Sequence, residues 1–238
     1  MPTLPRLTGL AAAALAVAFN VPYALLTARF DYPDILRQPA AEVLAAFHAG
    51  GPGLVLIWYA FLLCALALVG LAPALAFASG RVSGLAVTAA LLGALAGITQ
   101  AIGLARWVFA VPVLAASFAD PGVDPARAEA IKVSFEVLNL WGGVAIGEHL
   151  GQALTAAWIA ATVVLHRGAG RLAAGAGWVA IAGIIFGLGE GLALALGTAG
   201  DLFSLGTILG YLAMSVWLVA LGLRLWVRGA GFGSEVVA

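Results

Sequence analysis

Charge is what this sequence most lacks. Only 9% of its residues are charged and Lys132 is its sole lysine, whereas soluble domains carry about 25% charged residues. With 63% hydrophobic residues and a mean hydropathy of +1.09, a water-soluble fold is excluded. Eleven basic residues against eleven acidic ones leave no net charge, and so no surface suited to nucleic acid. Cysteine is nearly absent as well. Cys64 stands alone in the middle of an apolar run, which rules out an intrachain disulfide and a thiolate metal cage. The apolar runs lack the ten-residue alternation of barrel strands, so a β-barrel is excluded too.

What is present is a series of runs long enough to cross a bilayer as helices. The sequence predicts an all-α, polytopic membrane bundle: one transmembrane domain over residues 1–238, with spans at about 5–27, 54–78, 85–114, 133–165, 172–196 and 202–226. The run after Arg6 continues to Leu26, past the length of a signal-peptide core, and reads as an uncleaved first helix. Between the first two spans, Gln38-Pro39 marks a helix start, and Ala40, Val43, Leu44 and Phe47 fall on one face. That pattern predicts a short interfacial helix, a connector or a lid. Asp124-Pro125 is a capped start, so the fourth helix is expected to run from Pro125 to His166, with Lys132 and Glu136 paired one turn apart.

An ordinary membrane anchor would not contain the stretch Asn139-Leu140-Trp141-Gly142-Gly143-Val144-Ala145-Ile146-Gly147-Glu148-His149-Leu150-Gly151-Gln152. Each charged group inside a membrane helix costs about 2.5–3.5 kcal/mol on insertion scales. At 3.6 residues per turn, Gly143, Gly147 and Gly151 stack on one face, and Glu148, Gln152 and Thr155 share a neighbouring one. The glycine face lets another helix approach closely, and the polar face lines whatever lies beside that contact. The fifth span repeats the theme: Gly183, Gly187 and Gly191 make a packing face beside Glu190, and both acids open a Gly-Glu-x-Leu sequence.

The other spans add Asn20 before Pro22, Gln100, Arg106 and Trp107 in the third, and Tyr211 and Ser215 in the sixth. Pro22 frees a backbone carbonyl that a neighbouring helix must satisfy. Counted at 1.5 Å per residue, Asn20, Arg106 and Glu190 share a depth, with Gln100, Glu148 and His149 nearer the midplane. The expectation is one polar cavity, with Arg106 paired to Glu190 because each is expensive alone. Glu148, with no cation on its own helix nearby, is expected to be protonated part of the time. The candidate catalytic residues are Glu148 and Glu190. The candidate ligand-binding residues are Asn20, Gln100, Arg106, Trp107, Asn139, Trp141, His149, Gln152 and Tyr211. His48, His149 and His166 are scattered by depth, so neither a metal nor any other cofactor is expected.

Arg6, Arg81, Arg167, Arg171, Arg224 and Arg228 fall on the side of the termini, with Glu235 the only acid there. The positive-inside rule makes that side cytoplasmic, and the expected location is the inner (plasma) membrane, multi-pass with both termini cytoplasmic. Asp31, Asp34, Glu42, Asp120, Asp124, Glu129 and Asp201 then face outward.

Three stretches, Phe30-Asp31-Tyr32-Pro33-Asp34-Ile35-Leu36-Arg37, Gln100-Ala101-Ile102-Gly103-Leu104-Ala105-Arg106-Trp107 and Gly147-Glu148-His149-Leu150-Gly151, carry a resemblance. In them the chain resembles the bacterial integral membrane proteins of the domain-of-unknown-function 4386 family. The resemblance implies a multi-helix membrane protein and transfers no catalytic residue, since the family has no agreed activity.

Three functions stand open. One is an outward-opening cavity that binds or moves a small amphiphilic or lipid-like molecule, with Glu148 as a proton-linked group and Arg106 as an anion anchor. Another is an intramembrane enzyme whose buried acids protonate an isoprenoid or lipid beside aromatic faces, in the manner of terpene cyclases. The last is a structural or sensory membrane protein whose acids hold helices together. Membrane lipid and an amphiphilic or isoprenoid ligand are the expected partners, and the sequence alone does not decide whether the protein is an enzyme.

Overall fold

The structure is a computed structural model that describes residues 3–80, 82–198 and 200–231. Arg81, Glu235 and the tail 232–238, with the side chains of Asp201 and Arg228, lie outside the described residues. The described residues form helices and turns, and six of the helices are long and apolar enough to cross a membrane. The protein is a multi-pass, all-α membrane protein.

Helix α1, Leu4–Phe30, ends on Asp31 in the left-handed conformation (φ 52°), whose N–H bonds to Leu26 O. A short polar side chain tolerates that backbone. Inside α1, Pro22 has no N–H for Ala18 O, and the Cys64 thiol from the next helix donates to that carbonyl at 3.4 Å. A single 3-10 turn, Asp34–Arg37, leads to α2, Ala40–Phe77.

Helix α2 is two helices joined at Gly51, whose φ of 58° and ψ of −160° are non-helical. Glycine takes that conformation without steric cost, and Pro52 after it lacks the donor that would continue the ladder. The expected interfacial helix is therefore the bent start of the second span. Its Ala40, Val43, Leu44 and Phe47 are buried, with Phe47 stacked on Trp107 at 5.6 Å. It caps one end of the bundle, its apolar face turned onto the protein rather than onto lipid.

The third span, α3, is Gly84–Phe109, and it stops at Ala110 before a short α4, Val111–Phe118. The expected continuous span 85–114 is broken there because Pro112 sits in the first turn of a new helix. The fourth passage begins with α5, Pro125–Leu138, capped by Asp124 Oδ1 accepting from Arg127 N at 2.9 Å. It continues without a break through a π-helical segment, Asn139–Leu150, into α6, Gly151–Leu165. Lys132 pairs with Glu129 three residues back and not, as expected, with Glu136. Helices α7, Arg171–Ala195, and α8, Asp201–Gly231, complete the set.

The six passages close into a ring: α1 on α2, α2 on α3, α3 on α6 and the π segment, α6 on α7, α7 on α8, and α8 back on α1. Glycines set the closest approaches. A Cβ on Gly103 would stand 2.7 Å from Gly147 Cα, and one on Gly183 would stand 2.7 Å from Gly210 Cα. Backbones that close exchange van der Waals contact directly, the main attraction left to helices in lipid.

Two large apolar clusters, with two smaller ones, fill the ring. One gathers Ala12, Ala16, Leu75, Trp158, Ile184 and Trp217. The other gathers Phe30, Leu44, Phe47, Trp58, Trp107 and Phe135. Along α1 and α3 the polar residues Asn20 and Gln100 fall between the stretches that feed the two clusters. The outer faces carry exposed Val17, Leu56, Leu91, Ile102, Val179 and Leu209, the surface that lipid would cover.

Candidate functional site

A cavity of about 200 Å³ lies at the end of the ring that carries the segment 31–37. Its walls come from α1, α2, α3, the π segment, α6, α7, α8 and that segment. The close approach of Gly103 to Gly147 brings α3 and the π segment together beside it. On this glycine face the Arg106 guanidinium lies flat against Gly143, in space that a Cβ would take.

Three charged side chains meet at the cavity. Arg37 donates from Nε and Nη2 to Glu190 Oε1, at 3.0 and 2.7 Å, and from Nη2 to Glu148 Oε2 at 3.1 Å. The triad is half-buried, with side-chain exposures of 26% for Arg37, 28% for Glu148 and 14% for Glu190. Charge-assisted bonds of this kind are about twice as strong as neutral ones. Burial pushes the Arg37 guanidinium towards losing its proton, but the two carboxylates more than offset that, and its pKa ends above the ordinary arginine range.

Arg106 is 7% exposed and has no carboxylate within ion-pair distance among the described residues. It donates to Gly103 O on its own helix and, at 3.1 Å, to Asn139 Oδ1, and it lies 5.2 Å from the Trp107 ring. The expected Arg106–Glu190 pair is therefore corrected. Glu190 is held by Arg37, and Arg106 has only neutral partners. Both Glu148 and Glu190 accept from Arg37, so their carboxylates meet at one guanidinium. Glu148 has no cation nearby on its own helix, and Arg37 of the 3-10 turn supplies one from outside it.

Aromatic rings make much of the remaining lining. Trp58 and Trp107 stack at 4.8 Å with planes 9° apart, Tyr32 meets Trp58 edge-on at 5.4 Å, and Phe19 meets Phe61 at 4.8 Å. Burial raises the Tyr32 phenol's pKa, and nearby Glu148 adds to the effect. Among the buried polar atoms without a partner, three belong to lining side chains: Trp58 Nε1, Arg106 Nε and Gln152 Oε1. Asn20 Nδ2 bonds to Ala16 O and Ser215 Oγ at 2.7 and 2.8 Å, and Gln100 Nε2 to Thr155 Oγ1 at 2.9 Å.

Asn20, Gln100, Arg106, Trp107, Glu148, Gln152, Glu190 and Tyr211 all line the cavity. Asn139 stands behind it, on Arg106. Trp141 is 68% exposed and His149 is exposed against α7 near Gly191, so these two are not brought to it. Among the described residues no cluster of His, Cys, Asp or Glu could hold a metal ion.

The model of the domain of unknown function DUF4386 matches residues 7–222 of the chain. The chain belongs to this family. No curated protein and no solved structure matches it.

In this family member the residues that sequence reasoning missed are Arg37, Tyr32 and Trp58. Arg37 lies in a polar connector where an arginine reads as solvated, and helical periodicity does not project a connector onto any face. One signal was available: two intramembrane carboxylates faced a single intramembrane arginine, so a cation had to come from outside the spans. The stretch that carried the family resemblance from Phe30 to Arg37 contains it.

Proposed function

We propose that the cavity is a binding site for a small amphiphilic or lipid-like molecule, which the protein holds or moves within the membrane. The observation that carries this reading is the make-up of the lining, which joins the Arg37–Glu148–Glu190 triad to the rings of Trp58, Trp107, Tyr32 and Phe61. Ligand sites typically combine a mostly apolar lining with a few converging polar groups, and a molecule with a polar head and an apolar body matches both parts. The terpene-cyclase-like reading is weakened, because Glu148 and Glu190 both accept from Arg37 and neither is disposed as a proton donor to an alkene.

The orientation belongs to the same proposal. Arg6, Arg167, Arg171 and Arg224 lie at the end that carries the termini, and Asp31, Asp34, Glu42, Asp120, Asp124 and Glu129 lie at the other. By the positive-inside rule both termini are cytoplasmic in the inner (plasma) membrane, and the cavity opens outward under the segment 31–37.

The test is native mass spectrometry of the protein released from nanodiscs, comparing the parent with Glu148→Gln and with Ile208→Trp, which enlarges a side chain on the cavity lining. A co-purifying species of defined mass, retained by the parent and lost from Ile208→Trp, is the expected result. Equal lipid occupancy in all three proteins would leave the cavity without a ligand and the structural reading in force. Loss of activity or transport in Glu148→Gln with binding retained would assign Glu148 to the chemistry rather than to binding.

A further inference from the structure

We infer that the ligand carries an oxyanion, a carboxylate or a phosphate on an apolar body, and that Arg106 and the Trp58 N–H receive it. This rests on the reading of the cavity as an amphiphile site and names the ligand's head group. Two arginines, Arg37 and Arg106, and three carboxylates, Asp34, Glu148 and Glu190, line the cavity, and the ion pairs there all go to Arg37. Arg37 takes both Glu148 and Glu190, and Arg106, the more deeply buried of the two arginines, is left with a backbone carbonyl and an amide oxygen. Glu148 attracts it from a distance without touching it. A buried charge without a counter-ion is the arrangement that proteins avoid, and breaking a buried pair is costly for that reason.

The donors around this charge point the same way. Arg106 Nε has no acceptor, and the Nε1 of Trp58, a side chain only 1% exposed, has none either. Both side chains line the cavity, and Trp58 stacks on Trp107, the ring over which the Arg106 guanidinium sits. Arginine and indole N–H groups can only donate, so what completes them must accept. An anionic acceptor does so with charge-assisted bonds and gives Arg106 the directly contacting anion that it lacks. Beside the donors the wall is aromatic, which suits an apolar body joined to the oxyanion over a free inorganic ion.

The experiment uses the full chain in phosphatidylcholine nanodiscs and follows tryptophan fluorescence and thermal stability. The probes are decanoate, dihexanoylphosphatidate, decanol, decyltrimethylammonium and inorganic phosphate. The expected result is saturable binding of decanoate or dihexanoylphosphatidate, tenfold or more tighter than decanol. Which of the two binds assigns the oxyanion to a free acid or to a lipid head group. Arg106→Gln should erase that preference while leaving the unliganded protein as stable as the parent or more so, since it removes a buried unpaired charge. Should Arg106→Gln fail to fold, Trp58→Phe keeps the ring stack and removes only the N–H, and it should weaken the anionic probe several-fold with decanol unchanged. The inference is overturned if Arg106→Gln binds decanoate as the parent does, if decyltrimethylammonium is the preferred probe, or if inorganic phosphate binds as tightly as the amphiphiles. Equal binding of all the amphiphiles would overturn it and leave the amphiphile site standing; binding of none would remove both readings.

Discussion

Arg37 and Glu190 are joined twice, Nε and Nη2 both ending on the same carboxylate oxygen at 3.0 and 2.7 Å. The pair ties the connector between the first two spans to α7, and through Nη2 it reaches Glu148 on the fourth passage as well. A single side chain outside the spans thus holds two helices that are distant from it in sequence.

Replacing Arg37 with Gln should therefore destabilise the protein by about 2 kcal/mol, between the small worth of an exposed ion pair and the larger cost of breaking a buried one. The loss should largely disappear when Glu148→Gln and Glu190→Gln are added, because no uncompensated charge remains. Unfolding in a mild detergent, run as a mutant cycle, measures it. Simple additivity of the three changes would show that the triad is not coupled.

Stability against pH should be flat from neutral to about pH 10 as far as Arg37 and Tyr32 decide it. A group whose pKa is raised on folding contributes stability below its unfolded pKa and loses it as pH climbs through the folded one. Arg37 is raised above the ordinary arginine range, so its contribution persists throughout. Tyr32 is also raised, and its share begins to fall only near the ordinary phenol value of about 10. Thermal scans between pH 7 and 11 should show the alkaline loss reduced in Tyr32→Phe.

Gly147→Ala should cost about 1–3 kcal/mol, since its Cβ would lie 2.8 Å from Gly103 Cα, and backbone cannot swing aside as a side chain can. Gly70→Ala is the control. A Cβ there meets nothing within 4 Å, and exchanging a mid-helix glycine for alanine should gain up to about 1 kcal/mol. Comparing the unfolding midpoints of the two variants checks both signs.

Reporter fusions should place the loop around Arg167 in the cytoplasm and the segments around Asp34 and Asp124 outside, as the distribution of arginines requires. A cytoplasmic reporter at Asp124 would reverse the direction in which the cavity opens.

Sequence by itself determined the membrane class, the six passages and many of the polar residues that line the cavity, though Trp141 and His149 turned out exposed. Length and hydropathy act locally, and a charge within a span has nowhere cheaper to go than the interior. It also determined that the Gly143, Gly147 and Gly151 face would receive another helix, because the absence of side chains at helical spacing is itself a shape. The fate of Pro22 was half legible: the orphan carbonyl follows from the ring, but only the fold says that Cys64 satisfies it. Partner choice was decided by the tertiary structure alone. Arg106 matched Glu190 in counted depth, yet Arg37 took Glu190, because the fold lays the 3-10 turn over the cavity. Helical periodicity carries one coordinate along a helix and one around it. Where a connector's side chain lands depends on how several helices pack at once, and no local pattern encodes that.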